Sequence, residues 1–257
     1  MLQWSRMPRS LELLWALIAK DFKVRYKNTA LGFLWSLANP LMFAAVFYVV
    51  FKHVLVMETP NYLVFLLAGL FPWQMTATTI AAAPAIFVSN AGIVKKVYFP
   101  RVLLPLATLG NNLAHFLIVL AVAAPVLVVA GFPPSAAWIV GLPALLLVQM
   151  SITLGLALGV ATLNVYFRDL EFLTGVLVQL LFFVTPIFYS EAAMPASVRA
   201  GLLWNPMYHV ITQWRALVME GRVDGAALGI AAGVGAATLA VGYGVYRSLE
   251  ARLAEYL

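Results

Sequence analysis

Residues 102–130 read VLLPLATLGNNLAHFLIVLAVAAPVLVVA, without an Asp, Glu, Lys or Arg anywhere in the run. Crossing a bilayer takes about 20 predominantly apolar residues in a helix, and a helix apolar on every face has no solvated side to offer water. Outward from this run lie five more apolar stretches, at about 33–56, 62–87, 138–163, 172–190 and 225–246. The composition agrees, with 63% hydrophobic and 10% charged residues, against about 45–50% apolar and a quarter charged in soluble domains. The expected fold is an all-α integral membrane protein with six transmembrane helices. Six spans and their connections use the 257 residues and leave no room for a soluble catalytic domain.

Lysine and arginine set the orientation. With the N-terminus inside, Arg6, Arg9, Lys20, Lys23, Arg25, Lys27, Lys95, Lys96, Arg101, Arg168, Arg247 and Arg252 fall on the cytoplasmic side. Lys52, Arg199, Arg215 and Arg222 fall outside. Twelve against four is a positive-inside bias, and an even number of spans puts both termini in the cytoplasm. The net charge of +6 therefore faces anionic headgroups rather than nucleic acid.

Residues 1–29 do not read as a cleaved leader, because Glu12, Lys20 and Asp21 interrupt the apolar run. Leu11, Leu14, Trp15, Ile18 and Phe22 recur at helical spacing, with Lys20, Lys23 and Lys27 on another face. This pattern predicts an amphipathic interface helix over 10–28, capped by Ser10, lying in the cytoplasmic headgroup plane. Residues 30–257 form the six-helix domain.

Two connections differ from plain turns. The loop 88–101, VSNAGIVKKVYFPR, predicts a short basic helix capped by Ser89 or Asn90 and stopped ahead of Pro100. On the outer side, 191–224 is long and semi-apolar. Pro195 starts one short helix, Asn205-Pro206 breaks the chain, and Met207–Glu220, with His209, Gln213 and Arg215, forms a second. Both are expected as re-entrant half-helices packed against protein.

Chemistry is conspicuous by what is missing. There is no G-x-x-x-x-G-K-[ST] loop for nucleotide phosphates and no cysteine. His53, His115 and His209 lie far apart, and the ten carboxylates sit at span ends or in loops. Neither a metal site nor an intramembrane proton relay is expected, and no bound cofactor. Thr108, Asn111, Asn112 and His115 share one face of the third span. They serve either as interhelical hydrogen-bonding groups or as a polar conduit lining. Gln74, Thr76, Thr78 and Thr79 in the second span have the same two readings. Phe43, Phe47, Tyr48 and Phe51 in the first span, and Phe182, Phe183, Phe188 and Tyr189 in the fifth, are either packing residues or faces on which sugar rings stack. Gly155-x-x-x-Gly159 and the row Gly225, Gly229, Gly233, Ala237 allow helices to approach closely.

The run Arg25-Tyr26-Lys27-Asn28-Thr29-Ala30-Leu31-Gly32-Phe33-Leu34-Trp35, followed by Asn39-Pro40-Leu41, resembles the N-terminal signature of ABC-2-type export permeases. The likeness is strongest to those for O-antigen, teichoic acid and related surface polysaccharides. Asn164-Val165-Tyr166-Phe167-Arg168-Asp169-Leu170 resembles their cytoplasmic Arg-Asp loop. Thr185-Pro186-Ile187-Phe188-Tyr189, Met194-Pro195, Asn205-Pro206-Met207 and Arg215 resemble their outer motifs. The motifs cover nearly the whole chain in order. The resemblance implies a homodimer in the bacterial inner membrane, with each subunit docked on a separate nucleotide-binding ATPase that holds ATP and Mg. It implies that Ile93, Val94, Lys95, Lys96, Val97 and Tyr98 receive the ATPase's motion. Arg168 and Asp169 are either a second contact or a solvated turn. Arg25 and Lys27 are either the attraction point for the pyrophosphate of a polyprenyl-linked glycan or part of the positive-inside signal. Two other readings stay open: an ABC-2 permease for a drug or small lipid, and an ion-coupled transporter or channel that depends on His115. A lipid-modifying enzyme is disfavoured by the scattered carboxylates.

Overall fold

The computed structural model describes residues 9–26, 34–54, 59–191 and 194–257, and among them every regular element is helical. The elements are α1 (Arg9–Tyr26), α2 (Leu34–Tyr48, continued by a π-helical segment Val49–Val54), α3 (Tyr62–Ala82), α4 (Ala85–Ser89) and α5 (Ala91–Lys96). Next come α6 (Leu103–Val129), α7 (Ala137–Tyr166), α8 (Leu170–Val184), α9 (Ala196–Leu202), α10 (Pro206–Met219), α11 (Gly225–Leu249) and α12 (Leu253–Tyr256). Among the described residues, α3, α6, α7 and the α11–α12 unit Gly225–Tyr256 are long and apolar enough to cross a membrane. The segments Leu41–Val54 and Leu170–Val184 are apolar but shorter. Pro72, Pro125 and Pro143 lie inside long helices, as apolar surroundings tolerate when neighbours re-satisfy the freed backbone groups.

Two apolar clusters divide the bundle lengthwise. One joins Leu17 of α1, Ile86 and Phe87 of α4, Val94 of α5, Leu103 and Leu104 of α6, Val165 of α7, Tyr246 of α11 and Leu253 of α12. The other joins Tyr62, Leu66 and Leu70 of α3 to Leu145, Ile187, Met207, Ile211 and Trp214. The first cluster brings α1 and the C-terminal α12 to the same end, together with Lys95, Lys96, Arg101, Arg168 and Arg247; this is the basic end. The tail is more than a stub: Leu253 is fully buried, Tyr166 Oη donates to Leu249 O at 2.8 Å, and Arg101 donates to Glu250 O at 2.6 Å.

The tightest seam is α7 against α11. A Cβ on Gly242 would stand 1.8 Å from Gly155 O, and one on Gly155 would stand 2.4 Å from Thr238 O. Gly155 thus does what its spacing suggests. The α11 row does not, because Gly225, Gly229 and Gly233 have nothing within 4 Å of a Cβ. Instead the contact face carries Ala231, Gly235, Gly242 and Tyr246. A glycine count cannot tell one helix face from the next; the partner's position decides it.

Several local expectations need correction. Ser89 and Asn90 do not cap the short helix. Ser89 Oγ donates to Ala85 O at 2.7 Å and Asn90 Nδ2 to Ile86 O at 2.8 Å, because α4 already supplies carbonyls one turn back. The chain leaves helical geometry at Val97 (φ −122, ψ 132), three residues before Pro100. Ser10 is the second residue of α1 rather than its cap. On α1 the inward seam is Leu13, Leu14, Leu17 and Ile18, while Leu11 and Trp15 are exposed, which suits a helix with one side on the bundle and another toward lipid.

Candidate functional site

At the basic end α5 stands out from the bundle on one anchor. Val94 is buried, whereas Ile93, Val97 and Tyr98 are exposed, Tyr98 completely. Lys95 and Lys96 are exposed beside them. One aromatic and two aliphatic side chains thus stand exposed among lysines at this end. Arg168 and Asp169 occupy the exposed α7–α8 turn beside exposed Phe167, and they make no ion pair with each other. Arg25 lies in the last turn of α1. Lys27, with the rest of the signature through residue 33, lies outside the described residues.

At the other end α8 stops after 15 residues, a rise of about 22 Å, short of the roughly 30 Å hydrocarbon thickness. The next four residues, Thr185-Pro186-Ile187-Phe188, are non-helical yet buried. Buried irregular backbone must find partners within the protein; Thr185 N and Ile187 N bond locally, to Leu181 O and Thr185 O, and the remaining partners come from a distance in sequence. Arg215 Nη2 donates to Ile187 O at 2.7 Å. Tyr62 Oη donates to Phe188 O at 2.8 Å. Asn205 Nδ2 donates to Thr185 Oγ1 at 2.8 Å, while its Oδ1 accepts from Met207 N at 3.0 Å and caps α10. Pro206 occupies the first turn of that helix and Pro195 precedes α9, so the two short helices form as their turn residues predict. The Arg215 guanidinium also lies 3.6 Å above the Phe65 ring centroid. Gly69 leaves the space, because a Cβ there would meet Nη2 at 3.1 Å. At the rim Tyr208 donates to Glu191; burial and then this bond push its phenol up to about 12, so it remains a donor at neutral pH.

Between the ends runs a buried polar network in which Thr76 was legible from the sequence pattern and Gln149, Thr153 and Trp214 were not. Gln149 of α7 donates to Pro72 O at 2.7 Å and accepts from Trp214 Nε1 at 2.8 Å, tying α10 to α3 and α7. Thr76 and Thr153 share a 3.0 Å bond. A lone amide inside an apolar run is itself the signal, since a buried amide must be paired. Gln149→Leu strands the indole N–H of Trp214, and we expect a loss of about 1–2 kcal/mol, read as a lower unfolding midpoint in detergent. An unchanged midpoint would remove the network from the account.

The residues proposed to line a conduit separate into two groups. Phe43, Phe47 and Phe51 stack along α2 with centroids 6.5 and 5.8 Å apart. Phe47 and Phe51 meet Phe188 at 5.3 and 5.1 Å, and Tyr48 lies 6.3 Å from Tyr62. Phe43 is half exposed, so this aromatic wall joins α2, α8 and the 185–188 strap and keeps an open edge. Asn111, Asn112 and His115 sit on α6, away from that wall. Asn112 donates to Thr79 Oγ1 at 2.9 Å, an interhelical bond. Asn111 is buried with neither amide atom paired. Among the described residues no group of His, Cys, Asp and Glu could hold a metal ion.

Comparison with known proteins gives the arrangement its family. The ABC-2 type transporter family matches residues 12–219. The chain is 39% identical over 246 residues, 96% of its length and 95% of the relative's, to an O-antigen export system permease protein RfbA of Klebsiella pneumoniae. It is 31% identical over 219 residues, 83% of both chains, to the protein of that name in Myxococcus xanthus. It is 24% identical over 249 residues, 91% of this chain and 92% of the relative, to a polysialic acid transport protein KpsM of Escherichia coli. With the family matched across most of its length and apolar helices able to cross the bilayer several times, this chain is a multi-pass membrane protein that belongs to the ABC-2 type transporter family.

Proposed function

We propose that this protein is the membrane subunit of an ATP-driven exporter that moves a lipid-linked surface polysaccharide outward across the bacterial inner membrane. One observation carries the reading: identity of 39% across 96% of the chain with a permease named for O-antigen export. In this reading α2 with its π-helical end and α8 with the 185–188 strap join the four long helices as six spans. The basic end faces the cytoplasm, following the positive-inside rule, and both termini lie there. Two copies pair, and each binds one nucleotide-binding subunit, which supplies the ATP and Mg chemistry that this chain has no phosphate loop to perform. Ile93, Val97 and Tyr98 form the apolar centre of that contact and Lys95 and Lys96 its rim, with Val94 transmitting the push into the cluster that holds α1, α6 and α12. Arg168 and Asp169 border the same contact. Arg25 and Lys27 attract the substrate pyrophosphate by charge, and the aromatic wall offers apolar faces to passing sugar rings.

Reconstituted alone, the protein should neither hydrolyse ATP nor export glycan; with its ATPase it should do both. Ile93→Asp combined with Tyr98→Ala should weaken ATPase binding more than about tenfold, as removal of a hot spot does, while leaving the permease monodisperse. His115→Ala should retain export. Export without the ATPase, lost on His115→Ala, would instead establish an ion-coupled transporter. Hydrolysis stimulated by a drug or small lipid but not by lipid-linked glycan would reassign the cargo.

A further inference from the structure

A cleft of about 450 Å³ opens at the basic end between α1, α4 and α6. Its polar lining is Lys20 and Asp21 from α1, Ser89 and Asn90 beside α4, and Thr108 and Asn111 from α6. Three of these groups have spent a donor on their own helix: Ser89 on Ala85 O, Asn90 on Ile86 O and Thr108 on Leu104 O. Asn90 Nδ2 also donates to Ser89 Oγ at 3.3 Å, and the three side-chain oxygens keep acceptor capacity. Asn111 is only 4% exposed, yet its Nδ2 and Oδ1 have no partner, and a buried amide left this way is destabilising until something binds it. Lys20 and Asp21 stand 3.7 Å apart with roughly half-exposed side chains, so opposite charges sit side by side at the mouth.

This inventory selects a ligand. Among the described lining residues acceptors outnumber donors, so an anion such as a bare phosphate finds Lys20 and the Asn111 amide and little else among them. No aromatic ring is among the described lining residues, so they offer a sugar no stacking face. A group with several N–H donors beside one phosphate matches both the acceptor excess and the adjacent charge pair. We propose that this cleft binds the zwitterionic phosphoethanolamine headgroup of a membrane phospholipid. The ammonium lies against Asp21 and the Ser89, Thr108 and Asn111 oxygens, and the phosphate lies against Lys20. Its place beneath α1, whose Leu11 and Trp15 are exposed, sets the headgroup at the membrane surface, where it fastens the interface helix to α4 and α6.

The test is native mass spectrometry of the full-length chain with phospholipids of identical acyl chains. Phosphatidylethanolamine should bind about tenfold tighter than phosphatidylcholine, which carries the same charges but no N–H donors. Asp21→Asn and Asn111→Leu should each bring the first lipid down to the level of the second, and Lys20→Gln should weaken both alike. Asn111→Leu replaces an unpaired amide with an apolar group, so its unfolding midpoint in lipid-free detergent should not fall; a fall would mean that Asn111 is a structural residue and would overturn its role here. Equal binding of the two lipids, or a preference that survives both substitutions, would overturn the proposal. Phosphatidylglycerol binding as tightly as phosphatidylethanolamine would overturn it in favour of a polyol ligand. Soluble phosphoethanolamine that binds while the lipid does not would overturn the membrane source. None of these readouts involves export, so failure here leaves the transport reading standing.

Discussion

Gly242→Ala should eliminate the stable protein, whereas Gly233→Ala, nine residues earlier on the same helix, should leave it intact or slightly firmer. The added methyl is the same in both. At position 242 it would lie 1.8 Å from the carbonyl oxygen of Gly155 and 2.8 Å from its Cα. Those are backbone atoms that no rotamer change can move aside. Helices α7 and α11 would have to separate, and with them Tyr246 and Leu253, which share an apolar cluster with Val94 of α5. Overpacking of flexible side chains costs about 1–3 kcal/mol; a clash with backbone on both sides should exceed about 4 kcal/mol, the range of exceptional substitutions. At position 233 nothing lies within 4 Å, and alanine is the better helix former by about 1 kcal/mol. Membrane yield, elution profile and unfolding midpoint in detergent read the contrast directly. Similar behaviour of the two variants would mean that the seam is not the organising contact of this fold.

Arg215→Ala should be the next most damaging change, costing about 2–4 kcal/mol and abolishing export. The guanidinium offers a donor to Ile187 O at 2.7 Å and a charge to the Phe65 face at 3.6 Å. Without it a carbonyl of the buried 185–188 strap is orphaned, at about 1–3 kcal/mol, and a desolvated cation–π contact worth roughly 2 kcal/mol is lost. Among the described residues, Tyr62 and Asn205 are then the strap's remaining side-chain partners from a distance in sequence. Arg215→Lys keeps the charge but not the planar fork, so it should recover part of the midpoint and little of the transport. Tyr62→Phe, which frees only Phe188 O, should cost about 1 kcal/mol. An Arg215→Ala protein that melts and transports like the parent would show that the strap needs no cation.

Much of this molecule is written locally. The run 102–130 declares a span because no Asp, Glu, Lys or Arg interrupts it and apolar residues dominate it, and no packing partner is needed to reach that conclusion. Pro195, Asn205 and Pro206 announce two short helices through turn chemistry acting within a few residues. The short basic helix before Pro100 is legible from its sequence, but its cap is not, because Ser89 and Asn90 turn to carbonyls of α4 one turn back. The Thr108–His115 face shows where local reading stops. Its helical spacing puts Asn111 and Asn112 side by side, yet Asn112 turns to Thr79 on α3 and Asn111 borders a cleft against α1.

By itself the sequence determined that the chain dissolves in lipid, where most of its long helices begin, which side is basic, and which family it joins. These follow from solvation, turn chemistry and charge, each a property of residues near one another in the chain. Only the tertiary structure decided which glycine face of α11 meets α7, that Gln149 and Trp214 lock α10 in place, and that Arg215 serves Ile187. In a medium as apolar as the side chains themselves, hydrophobicity does not say which faces should touch. That choice falls to close backbone approach and to hydrogen bonds between residues far apart in the chain.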